Sequence, residues 1–222
     1  MLIAIAGPDG AGKSTLSKTL AQALRRRGFD AVRLDRFDIL DAEVSPASAF
    51  IAADVLTVRQ AVLAMPSASA RLLFILWSIA TTVSQVATGD PDRIIIHDSY
   101  WMKHTAAEII FGADEQAALA ATSLLPRPDL VFHFKVPAET LLARKPDDRV
   151  PYECGMDPLC APESFLSHQR KIQSLLEDWS RREGWLEVDG QQPLDQLEAD
   201  LIGHIEAHLL NRQGAARARA LT

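Results

Sequence analysis

Cysteine is scarce: two in 222 residues. That excludes a disulfide-stapled scaffold and, with no basic n-region after Met1, reads as a protein of the reducing cytoplasm. Excess positive charge is also missing. A net charge of −6 argues against a general nucleic-acid binder, because phosphate backbones are gripped by surplus Lys and Arg. Long apolar runs are absent too. The longest, Leu72 to Val83, is broken by Ser78, Thr81 and Thr82, too short and too polar to span a bilayer. The expected partner is therefore a small molecule, with neither nucleic acid nor membrane. What is present is ordinary for a globular chain: 48% apolar and 23% charged residues. A chain of this length buries about 70% of its unfolded surface and needs no staple.

The densest signal is at the start. Gly7-Pro8-Asp9-Gly10-Ala11-Gly12-Lys13-Ser14 is a complete G-x-x-x-x-G-K-S phosphate loop (a Walker A motif), followed by Thr15. An apolar, strand-like run, Leu2 to Ala6, precedes it, and a helical pattern with Leu16, Leu20, Ala23 and Leu24 follows. Glycines at 7, 10 and 12 let successive backbone N–H groups point at phosphate oxygens, and the helix adds its positive end. Lys13 is expected to reach the β- and γ-phosphates and Ser14 to place its hydroxyl on Mg²⁺. The implied ligands are ATP and Mg²⁺.

Apolar runs recur at 31–34, 93–97, 130–134 and 185–188, with helix-like stretches between them. Near-continuous apolar strands alternating with helices predict a three-layer α/β fold with a five-stranded parallel sheet. Breakers punctuate it: Pro46 and Pro66 before helices, Gly89-Asp90-Pro91, Pro126 and Pro128 before strands, and Pro193 before the last helix. One kinase-like domain is expected over 1–211, with a mobile lid at about 145–162. Residues 212–222 read as a frayed basic tail.

Several further residues carry chemistry. Asp98 closes the third apolar run and is the candidate second magnesium ligand, although an acid there also suits a helix N-cap. Asp35 and Arg36 end the second run. Arg36 suits an anionic acceptor, and Asp35 suits a base for an acceptor hydroxyl. Arg144, Lys145 and Arg149 mark the lid, from which a cation can reach the transferring phosphoryl group. On the apolar stretch 71–88, Phe74 and Trp77 are core residues by pattern and candidate stacking partners for an acceptor ring. Cys154, Cys160 and His168 do not make a zinc set, since the C-x₅-C spacing is unusual and no fourth ligand is in view.

The chain resembles the thymidylate kinase family of P-loop nucleotide kinases along nearly its whole length. The resemblance rests on IAIAGPDGAGKST, on RIIIHDSY where that family has a strand followed by D-R-Y, on LPRPDLVFHFKVPAETLLAR, and on WLEVDGQQPLDQLEADLIGHI. It implies MgATP as donor and a nucleoside monophosphate as acceptor. By position it puts Gly10, Ala11, Gly12, Lys13, Ser14 and Thr15 on the phosphates and magnesium. Arg144 and the loop at Asp189 fall near adenine, Asp9 and Tyr100 on the acceptor side, and Arg149 on the transferring group. Family members are often dimers through helices flanking the sheet, so a homodimer is expected. Two departures stand out. The arginine of D-R-Y is Ser99 here, and the helix position that usually carries an arginine falls in the apolar Leu73–Ser78. Without those cations an uncharged hydroxyl acceptor (a nucleoside, a sugar or a specialised metabolite) is the alternative reading. An ATP-dependent switch or assembly NTPase is a third.

Overall fold

The computed structural model describes all residues except 46, 47, 49, 50, 52, 88–91, 221 and 222, and omits the side chains of 85, 87 and 215–220. Pro46 and Gly89-Asp90-Pro91 therefore lie outside the described residues. Five parallel strands form one sheet: β1 (Leu2–Ala6), β2 (Ala31–Leu34), β3 (Ile94–Asp98), β4 (Leu130–Lys135) and β5 (Leu186–Asp189), in the order β2-β3-β1-β4-β5. The predicted α/β class and five-stranded parallel sheet are what the structure shows, with strand limits within one residue of the sequence reading.

The period of two along β1 sorts its side chains between two cores. Ile3 and Ile5 join Ile96, Phe132 and Phe134 beneath α1 (Lys13–Arg26) and α8 (Leu194–Ala220). Leu2, Ala4 and Ala6 join Ile95 beneath α3 (Ala68–Ala87), α4 (Met102–Ile110) and α7 (Pro162–Glu183). Ile3, Ile5 and Ile96 are each fully buried, worth about 1.5–3 kcal/mol apiece. Both faces are covered, which is why β1 and β3 are apolar throughout rather than alternating.

Three shorter helices complete the layers: α2 (Val55–Leu63), α5 (Glu115–Thr122) and α6 (Ala138–Arg144). The lid segment after α6 folds through a 3₁₀ turn, Pro151–Cys154, and lies docked: Tyr152 and Cys154 are buried. α8 is long, running from Leu194 to Ala220. The helix continues through residues 212–220, where the sequence read as frayed, because that stretch is rich in alanine, the strongest helix former.

The chain leaves β1 between β3 on one side and β4 on the other, so the crossover direction reverses there. Ligands of open parallel sheets bind outside the carboxyl ends of the strands at such a point. The phosphate loop follows β1 at this place.

Candidate active site

The loop from Gly7 to Gly12 is built to bring backbone close to other backbone. Gly10 has φ of 84°, and a Cβ there would sit 3.3 Å from the carbonyl oxygen of Leu141. α1 opens at Lys13 with no side chain capping its N-terminus and no acid in its first turn. Its free amides and positive dipole end suit an anion. The Lys13 ammonium, buried, donates to the Pro8 carbonyl at 2.7 Å, folded over the loop it belongs to.

A cavity of about 380 Å³ opens beside this loop. Asp9, Ser14, Arg36, Arg59, Asp98 and Lys103 are among the residues that line it, with Arg33, Asp35, Ile75, His104, Lys145 and Tyr152. Asp98 is 6% exposed at the end of β3 and accepts from the Arg33 guanidinium of β2 at 3.0 Å. Burial pushes its carboxyl up, but Lys13, the Ser14 hydroxyl and Arg33 together bring it below the usual value. The next residue, Ser99, holds a left-handed backbone (φ 54°), a conformation that a non-glycine residue adopts at some cost. Ser14, in the first turn of α1, and Asp98, at the end of β3, are hard oxygen donors, the donor type that magnesium takes.

Asp35 has both carboxylate oxygens engaged. One accepts from the Phe37 amide at 2.7 Å, and the other pairs with Arg33 at 2.7 Å. With Asp38 it makes a reciprocal capping box for the short 3₁₀ helix Arg36–Leu40. Arg36 differs from Arg33. Its guanidinium lies over the Phe37 ring, 4.5 Å from the centroid, and that of Arg59 lies 5.3 Å from the same ring. Among the described residues neither is ion-paired with a carboxylate.

On the donor side, Arg144 donates to the Gly190 carbonyl at 2.9 Å and to that of Ala11 at 3.5 Å, joining the phosphate loop to the loop after β5. Asp189 closes that loop by accepting from the Gln191 amide at 3.0 Å. A Cβ at Gly190 would lie 2.5 Å from Val136, so only glycine lets the loop come this close.

Of the residues expected at the acceptor or on the transferring group, Tyr100, Phe74, Trp77 and Arg149 do not line this cavity. Tyr100 is fully buried, its hydroxyl donating to Pro126 at 2.9 Å, so it braces the core. Phe74 and Trp77 pack on each other with ring centroids 6.1 Å apart, and the cavity meets α3 through Ile75 instead. One hundred degrees of helix per residue turns the two aromatics to other faces. Arg149 donates to the carbonyls of Lys145 (2.8 Å), Cys160 (3.2 Å) and Pro146, so its guanidinium is spent inside the lid. Of the cysteines, Cys154 is buried and Cys160 leans on the Asp157 carbonyl, while His168 stacks on Phe111.

Sequence reasoning missed Arg59, Lys103 and His104. Arg59 left one trace, being the single charged residue of α2, VLTVRQAVL. Lys103 and His104 left none, since no motif covers them.

No family model matches the chain. Over 152 residues it is 27% identical to probable thymidylate kinase 1 of Saccharolobus solfataricus, covering 68% of this chain and 74% of that protein. With the parallel sheet and the phosphate loop, this distant likeness supports a kinase-like relationship.

Proposed function

We propose that the chain is a MgATP-dependent phosphotransferase whose acceptor already carries an anionic phosphate, as a nucleoside monophosphate does. The carrying observation is the pair Arg36 and Arg59: two guanidinium groups without carboxylate partners among the described residues, at one aromatic ring, in the same cavity as Ser14 and Asp98. Unpaired guanidinium at a cavity wall suits bidentate recognition of phosphate. These residues supply the positive charge that Ser99 and the apolar 73–78 stretch lack.

Each group then has a task. The amides of 10–15 hold the donor phosphates, and Lys13 leaves the Pro8 carbonyl to bond the β- and γ-oxygens. Ser14 and Asp98 would hold Mg²⁺, which neutralises charge on the phosphates when bound. Arg144 and the 189–193 loop form the wall for the base. Arg36 and Arg59 orient the acceptor, so an oxygen of its phosphate faces the γ-phosphorus. The chemistry is then positioning and charge neutralisation, with no base required, because a phosphate oxygen carries no proton at neutral pH. The alternative, an uncharged alcohol deprotonated by Asp35, is less well supported, since both Asp35 oxygens are already engaged.

The reading extends to a homodimer. α3 turns Leu73 (63% exposed) and Trp77 (40% exposed) outward, an apolar face of the kind a partner subunit covers. The deciding experiment is ADP release from MgATP across nucleoside monophosphates, nucleosides, sugars and other alcohols. Turnover with monophosphates and little with alcohols is expected. The reverse order would overturn the assignment of the acceptor.

A further inference from the structure

Lys103 occupies a costly place. It lies in the first turn of α4, where the helix dipole disfavours a cation, and its side chain is only 8% exposed. A buried ammonium without a partner is strongly unfavourable. Asp9 is the partner: Lys103 Nζ lies 2.9 Å from its Oδ1. Burial alone would raise the Asp9 carboxyl, but Lys103 and then Lys13 hold it well below the usual carboxylate range.

The pair is itself positioned. The Asp9 amide donates to Gln169 Oε1 of α7 at 3.0 Å, and Gln169 Nε2 donates to the Glu153 carbonyl of the lid at 2.9 Å. Lys103 also lies 5.8 Å from the centroid of Tyr152, a lid residue. Its ammonium therefore stands between phosphate loop and lid, on the cavity that Ser14 and Asp98 share.

Among the described residues, the other cations at or near this cavity have partners of their own or, for Arg36 and Arg59, the acceptor role proposed above. Arg149 is bonded within the lid, Lys145 is paired with Glu153 at 2.6 Å, Arg33 is held by two carboxylates, and Arg36 and Arg59 lie at Phe37.

We propose that Lys103 is the cation that bridges the transferring phosphoryl group and the acceptor, with Asp9 holding it ready. This rests on the phosphotransferase reading above. An acceptor oxygen bonds to the γ-phosphorus, the bond from that phosphorus to the β,γ-bridging oxygen breaks, and its electron pair leaves on ADP. Lys103 bonds the equatorial oxygens as charge spreads over them, and it gives up no proton.

The test compares wild type, Lys103→Met, Lys103→Ala and Lys103→Arg in two titrations. One uses MgADP alone. The other uses MgADP with aluminium fluoride and a mixture of the common nucleoside monophosphates, which imitates the transition state. MgADP affinity is expected to stay within about threefold in all four. The tightening given by aluminium fluoride should fall at least about tenfold in the Met and Ala variants and return in large part with Arg. Equal tightening in wild type and Lys103→Met would overturn the role of Lys103 while leaving the phosphotransferase reading intact. A wild type that binds MgADP but shows no tightening, or binds no MgADP, would overturn both. The Met variant keeps the side-chain length, so circular dichroism separates lost binding from lost fold.

Discussion

Arg33 of β2 donates to Asp98 of β3 at 3.0 Å, so the acid that would face magnesium is tied to a guanidinium from the neighbouring strand. The same guanidinium reaches Asp35 at 2.7 Å. One cation thus sets the positions of both acids.

Asp98→Asn keeps the shape of this contact and removes its charge. Turnover should fall about 10²–10³-fold, with a higher magnesium concentration at half-saturation. A magnesium titration of ADP release checks both. Unchanged magnesium dependence would remove Asp98 from the metal site.

Lys13→Ala should abolish phosphoryl transfer while leaving the far-ultraviolet circular dichroism spectrum intact. Among the described residues the Lys13 ammonium donates to the Pro8 carbonyl of its own loop, a bond that water can replace. Undiminished transfer by this variant would sink the donor-site assignment.

Arg36→Met and Arg59→Met should raise the acceptor KM and leave the KM for MgATP alone. A charge-assisted bond to phosphate contributes about 1.5–3 kcal/mol, or roughly 10–100-fold in affinity. The effect should be smaller and more salt-sensitive for Arg59, which is exposed. Steady-state kinetics at two ionic strengths separates the two residues.

Glu108, fully buried in α4, accepts from Arg71 and, at 2.9 Å, from the Tyr152 hydroxyl, pinning the lid turn to α3 and α4. Glu108→Ala would strand the buried Arg71 guanidinium and should cost about 3–5 kcal/mol of stability. Tyr152→Phe, which removes one bond, should cost about 1–3 kcal/mol. Urea unfolding midpoints would show whether the order holds.

Acid should destabilise the fold through buried histidines, His104 among them, which burial also holds well below the usual value. Burial lowers His97, His133 and His168 from 6.5 to about 4 each, so the folded protein keeps them neutral. The unfolded chain binds their protons first as pH falls, so this stability is complete above about pH 6.5 and is lost towards pH 4. Melting temperatures should drop across that window. His97→Gln should flatten the slope, and a slope unaffected by it would exclude His97 as a source.

The phosphate loop and the five strands were legible because their signals are local. A glycine pattern and runs of isoleucine and valine act over neighbouring residues. The proposed donor half was read for the same reason, from Lys13, Ser14, Arg144 and Asp189 on segments whose order along the chain implies their place. The acceptor half was not legible. Arg59 and Lys103 reach the cavity from helices whose own sequences announce only burial. Arg149, by contrast, looked free in a run of charges and proved to be bonded to three carbonyls of its own loop.

By itself the amino-acid sequence determined the fold class, the glycine-rich G-x-x-x-x-G-K-S loop and the absence of an arginine at Ser99. Only the tertiary structure decided which cations stand unpaired at the cavity, which are spent in ion pairs, and that Lys103 rests on Asp9. The physical reason is range. Strand pattern and loop curvature depend on residues next to one another, whereas the pairing of a charge depends on which distant segments the fold brings within about 4 Å of it.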